Sequence, residues 1–232
     1  MVFKNAQGDW TLDIPAEDTR VAIKISGGAD SAIVTYMLAV YKRDERPDIK
    51  LIPITTNALP PKDWQVKYSK RVLNKVTELT GVEFESHITN EVTKDGEEYF
   101  APYDETLNTY ISTQYALDVE SRDLYDVKFD GVTKNPPDVK GFYFYNGAED
   151  PDRSEGNEWS ITTKFQHHYM PMRVYDKQGV CDFYVQNNVL DTLFPVTRSC
   201  ENDGNYMSID HEKHCEKCWF CRERYWGFGR YI

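Results

Sequence analysis

A glycine-containing turn near residue 26 carries the residue types that bind phosphate. Its six residues are Ser26-Gly27-Gly28-Ala29-Asp30-Ser31. An alternating apolar stretch at 21–25 predicts a strand before the turn, and an apolar stretch at 32–41 predicts a buried helix after it. A turn of this kind leaves backbone N–H groups free at the positive end of a helix dipole, which is a site for phosphate. The hydroxyl groups of Ser26 and Ser31 can add further donors.

The cysteines form the second chemically suggestive group. Four of the five follow the spacing C-x14-C-x2-C-x2-C, as Cys200, Cys215, Cys218 and Cys221. An odd cysteine count in a chain without a secretion-signal pattern argues against a disulfide scaffold. Spacers of two residues let a tight turn aim two sulfurs at one ion, and four thiolates suit tetrahedral Zn²⁺. An iron–sulfur cluster is the alternative occupant.

Three other residues have side chains that can bind a metal ion. His211 and His214 could replace a cysteine as ligands, but they are expected at the surface of a polar connector. Cys181 lies far from the group in sequence, in an apolar stretch at 180–185 that predicts a strand. We therefore expect Cys181 to be dispensable for metal binding.

The elements that must position these groups alternate between strand and helix. Strands are predicted at 21–25, 50–56, 82–88 and 127–130, and helices at 32–41, 64–80, 106–125 and 185–193. Gly81 suits the C-terminal cap of the helix at 64–80. This rhythm predicts an α/β fold, in which an open parallel sheet of Rossmann-like type carries helices on both faces.

Composition limits the classes of function. The 232 residues carry a formal net charge of −11, and 40% of them are hydrophobic, which is enough for a sizeable core. Such an acidic chain is not expected to bind nucleic acid through general electrostatics. No apolar run approaches transmembrane length, and residues 4–13 lack a signal-peptide pattern, so a cytoplasmic protein without membrane partners is expected. The sequence leaves open whether the protein forms a homodimer.

The string from Ser26 to Ser31 resembles the PP-loop of the N-type ATP pyrophosphatases. That family, similar in fold to the adenine-nucleotide α-hydrolases, includes NAD and GMP synthetases, tRNA thiolases and 7-cyano-7-deazaguanine synthase. The Gly-Lys-Ser/Thr of a Walker A motif is missing. The resemblance implies that the loop holds the pyrophosphate of ATP, with Mg²⁺, while a substrate attacks the α-phosphate.

The same resemblance assigns roles to individual residues. ATP contacts are implied for the loop and for a glycine at the end of the strand at 127–130, that is, for Ser26, Gly27, Gly28, Ala29, Asp30, Ser31 and Gly131. Asp30 and Ser31 are implied as catalytic residues. Asp30 would help to place either a magnesium ion or the loop itself.

The C-terminal part is similar to the end of the 7-cyano-7-deazaguanine synthase family of the queuosine pathway. The shared features are Ser199-Cys200, the three later cysteines, Arg224 and Phe228. The similarity implies an ATP-binding domain at 1–195 and a zinc-binding segment at 196–232 packed on it. Three departures are Glu216, where the family has glycine, residues 55–61, where the family has a Tyr-Gly-Gln-Arg-His-like segment, and the family's Pro-Gly-Arg-Asn segment, which has no counterpart in this chain.

The implied activity is that of an ATP-dependent ligase that forms a carbon–nitrogen bond. ATP would adenylate the carboxylate of a deazaguanine-type acid, ammonia would displace AMP to give an amide, and a second ATP would drive dehydration to the nitrile. Zn²⁺ held by four thiolates has no open position for a substrate, so it would be structural.

Two alternatives from other classes remain. A PP-loop sulfur transferase acting on RNA would need a reactive cysteine or an iron–sulfur cluster, and a basic surface that the acidic composition disfavours. A non-catalytic, zinc-stabilised nucleotide-binding module would not need the intact loop. Residues 146–159 predict a surface loop rather than an active-site lid. Lys164, His167 and His168 receive no role.

Overall fold

The computed structural model describes residues 1–59, 64–93, 124–136, 159–163, 166–200 and 212–232. Two strands form an N-terminal hairpin, and six form the central sheet in the order β5-β4-β3-β6-β8-β7. In chain order the strands are β1 Val2–Phe3, β2 Trp10–Thr11, β3 Arg20–Lys24, β4 Lys50–Leu59, β5 Ile88–Thr93, β6 Val127–Phe129, β7 Trp159–Thr163 and β8 Gln166–Tyr169.

Helices flank the sheet. They are α1 Ala29–Asp44, α2 Gln65–Thr80, α3 Lys177–Gln186 and α4 Trp219–Phe228, with short 3₁₀ turns at Pro171–Val174 and Phe194–Val196. Gly81 ends α2 in the left-handed conformation, at φ 72°, as its position as a C-cap predicts. Asp176 is the N-cap of α3, because its side chain accepts hydrogen bonds from the amides of Gln178 and Gly179.

The sheet confirms the predicted α/β class. Strand β3 lies at its centre and pairs in parallel with β4 on one side and with β6 on the other. The edge strand β7 is a difference from the prediction, because it pairs antiparallel with β8. Alternate residues of β3 serve opposite faces: Val21 and Ile23 join the main core with the helices, whereas Ala22 joins a smaller buried cluster.

Two predicted elements are wrong in position. The third strand begins at Ile88 rather than at 82, although Glu85 already donates a backbone hydrogen bond to the carbonyl of Leu51 in β4. The helix predicted at 185–193 lies earlier in the chain, as α3 at Lys177–Gln186. It ends two residues before Asn188, whose φ of 56° is not helical. Cys181 therefore lies on a helix and not in a strand.

Some predictions concern residues outside the described part of the chain. The helix predicted at 106–125 and the loop predicted at 146–159 fall there almost entirely, as do Lys164 and His211. The backbone of His167 and His168 belongs to β8. Among the described helices, none combines the length and the apolar character needed to cross a bilayer.

Candidate phosphate loop and metal centre

The segment from Ser26 to Ser31, called the phosphate loop below, joins β3 to α1 as predicted. Gly27 adopts φ 81°, and Gly28 is the N-cap of α1 in an extended conformation. As the N-cap, Gly28 has no side chain that could accept hydrogen bonds from the amides of the first helical turn, so these amides can bind an anion. The loop therefore has the backbone arrangement of a phosphate site.

Two hydroxyl groups brace the loop from inside. The Oγ atoms of Ser26 and Ser31 lie 3.2 Å apart, and Ser31 Oγ also donates to the Gly28 carbonyl at 3.2 Å. The Gly28 amide donates to Ser26 Oγ at 3.3 Å. Ser31 is buried, so its hydroxyl holds the turn closed, whereas Ser26 is partly exposed.

Close backbone packing explains two glycines of this site. A Cβ on Gly27 would lie 2.5 Å from Cβ of Tyr68, on α2. A Cβ on Gly131, just beyond β6, would lie 2.6 Å from the Ser31 amide nitrogen and 2.8 Å from its Cα. Gly131 therefore lies against the first turn of α1, and the end of β6 meets the phosphate loop.

Asp30 takes part in a buried ionic cluster. Its two carboxylate oxygens accept hydrogen bonds from Lys177 Nζ at 2.7 and 2.6 Å. Glu223 Oε2 of α4 lies 3.5 Å from the same nitrogen, and the side chains of Lys177 and Glu223 are only 4% and 1% exposed. Asp30 thus ties α1 to α3 and α4.

Residues from the last third of the chain also hold the loop backbone. The Arg198 amide donates to the Gly27 carbonyl at 2.8 Å, and the Tyr184 hydroxyl donates to the Ala29 carbonyl at 2.7 Å. The guanidinium of Arg198 lies over the rings of Trp64 and Tyr68, with 5.6 and 5.8 Å to the ring centroids. The loop is therefore clamped between α2 and the segment that leads to Cys200.

The four predicted metal ligands come together. The sulfur atoms of Cys200, Cys215, Cys218 and Cys221 all lie within 4.8 Å of one another. The amides of Cys215 and Cys218 point at the sulfurs of Cys200 and Cys215, each at 3.3 Å. Hydrogen bonds with the thiols of Cys200 and Cys218, and then burial, raise the pKa of Cys221 far above its ordinary value. Four clustered thiols with inward amides fit a metal, whose charge stabilises the thiolate form.

The turn between two of these cysteines is strained. Glu216 adopts φ 62°, in the left-handed region that favours glycine, at the position where the resemblance places glycine. His214 is only partly exposed, contrary to the expected surface position, and its ring stacks on Tyr231 with centroids 6.1 Å apart. Burial lowers the pKa of His214 to about 3. Neither His214 nor Cys181 belongs to the described ligand cluster.

Arg224 joins the segment that contains the four clustered cysteines to the protein core. This side chain is fully buried and donates to Tyr231 O at 2.7 Å and to Thr197 Oγ1 at 2.9 Å. Its guanidinium lies 3.8 Å from the ring centroid of Phe194, which in turn stacks on Phe228 at 4.1 Å. Burial lowers the pKa of Arg224 to about 10. The residues that the resemblance selects at this end, Arg224 and Phe228, thus act as packing and anchoring groups.

Sequence reasoning missed Lys177, Tyr184 and Glu223. A lysine next to an aspartate at a helix start is common, so Asp176-Lys177 carries no signal beyond the helix cap. Tyr184 and Glu223 stand in helices whose sequences do not indicate which side faces the loop. Only the packing of α3 against α1 and α4 brings these groups to Ala29 and Asp30.

No protein-family model and no curated protein sequence matches this chain. One solved structure with a similar fold is the U34-tRNA thiolase NcsA from Methanococcus maripaludis with its 4Fe–4S cluster. The two chains share 17% sequence identity with a TM-score of 0.48, and the likeness covers 74% of this chain and 58% of the thiolase. This chain therefore spans little more than half of the thiolase, and the likeness concerns the fold alone.

Proposed function

We propose that this protein is an ATP pyrophosphatase-type enzyme, which adenylates its substrate at the phosphate loop. The observation that carries the proposal is the junction of β3 and α1, where uncapped helix amides and a glycine turn are braced by Ser26 and Ser31. Gly131 leaves room for the loop beside the neighbouring strand. In open α/β sheets, ligands bind at this carboxyl edge of the strands.

The proposed step is attack by a substrate oxygen on the α-phosphorus of ATP. A new P–O bond forms, the bond between the α-phosphorus and its bridging oxygen breaks, and pyrophosphate leaves. The amides of the loop and the α1 dipole stabilise the departing pyrophosphate charge. Lys177 keeps the Asp30 carboxylate neutralised close to these phosphates. Mg²⁺, when bound, would supply further charge neutralisation.

Sulfur transfer to RNA is the first acceptor chemistry to test. Four cysteine thiols are a ligand set for an iron–sulfur cluster, and the named structure of similar fold is a tRNA thiolase with such a cluster. Sulfurs that all lie within 4.8 Å of one another fit a single tetrahedral ion directly, so a cluster would require them to move apart. Cys200 lies two residues from Arg198, whose amide binds the phosphate loop, so the four-cysteine cluster is close to the proposed ATP site along the chain. An adenylated base oxygen would then be displaced by sulfide, with AMP as the leaving group.

Adenylation of a carboxylate followed by ammonia addition is the second candidate, as in 7-cyano-7-deazaguanine synthase. It is supported by a cluster that offers four protein ligands, because a filled tetrahedral site keeps no position for a sulfur substrate. A second support is Cys181, whose pKa is raised by burial, so this thiol is not an activated sulfur carrier. The acceptor would be a small deazaguanine-type acid together with ammonia.

The deciding experiment is a pyrophosphate-release assay on the metal-loaded protein. One reaction contains ATP, unmodified tRNA and sulfide, and the other contains ATP, a deazaguanine acid and ammonia. The Ser31→Ala variant is the matched control in both. AMP and pyrophosphate are expected with one acceptor. ADP and phosphate throughout would refute adenylation. Iron in the purified protein favours sulfur transfer, and zinc favours the ligase reaction.

A further inference from the structure

We infer that Gln7, in the N-terminal hairpin, is a positioning residue for the phosphate loop. Among the described residues, its side chain forms hydrogen bonds with Asp176 rather than with the loop, so it acts through Asp176 and Lys177. The inference rests on the proposed function insofar as the loop binds ATP. Its physical basis is a path with two hydrogen-bonded contacts, Gln7 with Asp176 and Lys177 with Asp30, which are joined by the peptide bond between Asp176 and Lys177.

The path begins where the hairpin meets the start of α3. The side-chain amide of Gln7 forms two hydrogen bonds with Asp176. Its Nε2 donates to Asp176 Oδ1 at 2.7 Å, and its Oε1 accepts from the backbone amide of Asp176 at 3.2 Å. Asp176 Oδ1 also accepts from the amides of Gln178 and Gly179 as the helix cap. Gln7 therefore fixes the residue that sets the first turn of α3.

Three further features hold the hairpin at this place. Buried Asn5 donates through Nδ2 to the Gly179 carbonyl at 2.7 Å. A Cβ on Gly179 would lie 2.5 Å from Gln7 Oε1, so the glycine makes room for the amide of Gln7. The Ala6 amide also donates to Asp182 Oδ2 at 2.7 Å. The hairpin thus docks on α3 through several matched contacts.

The position of Asp176 also fixes the position of Lys177, because Lys177 is the next residue in the chain. Its ammonium is buried and binds both oxygens of Asp30. A buried lysine tolerates little displacement from its carboxylate partner, because separating the charges in a low-dielectric setting is costly. A shift of the α3 start therefore moves Asp30 and, with it, the amides of the first turn of α1.

The test compares Gln7→Ala with Asn187→Ala in the complete, metal-loaded chain. Gln7 is exposed, so its truncation leaves the fold intact. Asn187 Nδ2 donates to the Phe183 carbonyl at the other end of α3, so its loss loosens the same helix away from Lys177. The readouts are amide hydrogen exchange at residues 26–31 without ATP, ATP affinity by calorimetry, and Tm.

We expect Gln7→Ala to speed exchange in the loop and to weaken ATP binding about three- to tenfold, whereas Asn187→Ala lowers only Tm. Unchanged loop exchange in Gln7→Ala overturns the inference, as does an equal effect of both variants on the loop. If the wild-type chain binds no ATP, the proposed function fails. Faster loop exchange in Gln7→Ala alone would still support the path from Gln7 to the loop.

Discussion

The ammonium of Lys177 binds both carboxylate oxygens of Asp30, at 2.7 and 2.6 Å, across 147 residues of sequence. This pair places a neutralised carboxylate at the first turn of α1, where an unpaired negative charge would repel phosphate. It also joins the loop to α3, which packs in turn on α4. The loop is thereby coupled to the segment that carries the four clustered cysteines.

Loss of either loop side chain should abolish most ATP-dependent turnover. Asp30→Ala removes the nearer of the two described carboxylates beside Lys177, and Ser31→Ala removes the hydroxyl that braces the turn. Each is expected to cost about 10²–10³ in rate, the usual loss when a preorganised electrostatic group is removed. Rates are compared with circular dichroism melts. Thr35→Val, which removes a buried hydroxyl one turn later in α1, is the control and should keep near-normal turnover.

A methyl group at position 131 should disturb the loop directly. In Gly131→Ala, the new Cβ would meet backbone atoms of Ser31 at 2.6 and 2.8 Å, so the first turn of α1 must shift. Gly81→Ala meets no atom within 4 Å but is strained at φ 72°. Both variants should lose about 1 kcal/mol or more of stability, and only Gly131→Ala should lose ATP affinity. Equal ATP affinity in the two variants would contradict this assignment of Gly131.

Removal of the metal should unfold the C-terminal segment. Cys218→Ser, or treatment with a chelator, is expected to lower Tm by about 10 °C, because structural metal binding is coupled to folding. Limited proteolysis should then cut after residue 200. Cys181→Ser, outside the cluster, should change neither property. An ordered tail in a protein that contains no metal would refute the metal centre.

Relief of the strain at Glu216 should stabilise the C-terminal segment that contains the four clustered cysteines. Glu216 pays about 1 kcal/mol for its left-handed conformation at φ 62°, a cost that glycine largely avoids. Glu216→Gly should therefore raise Tm, whereas Glu216→Ala should not, because alanine keeps the strain. Thermal melts of the two variants decide between strain and a charge effect of the glutamate.

His87 should make stability depend on pH below neutrality. Burial, followed by the charge of Lys70, lowers its pKa from 6.5 to about 4, and its Nε2 lies 2.8 Å from Thr55 Oγ1. As the pH falls from 6.5 towards 4, the unfolded chain takes up a proton that the folded chain does not, so stability decreases. His87→Asn should flatten this part of the curve of Tm against pH. Parallel curves for the two proteins would contradict the shift.

The sequence was sufficient to predict the elements with strong local signals. Arg20–Lys24, α1 and α2 are marked by apolar periodicity, and Gly81 by its helix-ending position. The four-cysteine cluster follows from ligand spacing alone. The start of β5 and the bounds of α3 were missed, because they depend on pairing with β4 and on the cap at Asp176 rather than on periodicity.

The supports of the loop were beyond sequence reasoning for a different reason. Lys177 and Glu223 are ordinary charged residues until tertiary packing buries them beside Asp30. Tyr184 is likewise one of 16 tyrosines, and only the contact of α3 with α1 directs its hydroxyl to Ala29. Long-range contacts of this kind leave no periodic trace in the chain.

The hydrogen bond from Arg198 to the Gly27 carbonyl has a consequence for the nascent protein. When residues 1–150 have been synthesised, the chain already contains the sequence of the glycine turn. It does not yet contain Lys177, Tyr184 or Arg198, whose contacts hold that turn. During synthesis, the turn must wait for partners that emerge more than 140 residues later, and such distant closures are slow steps in folding. Chains that stop early therefore contain the motif without its working shape.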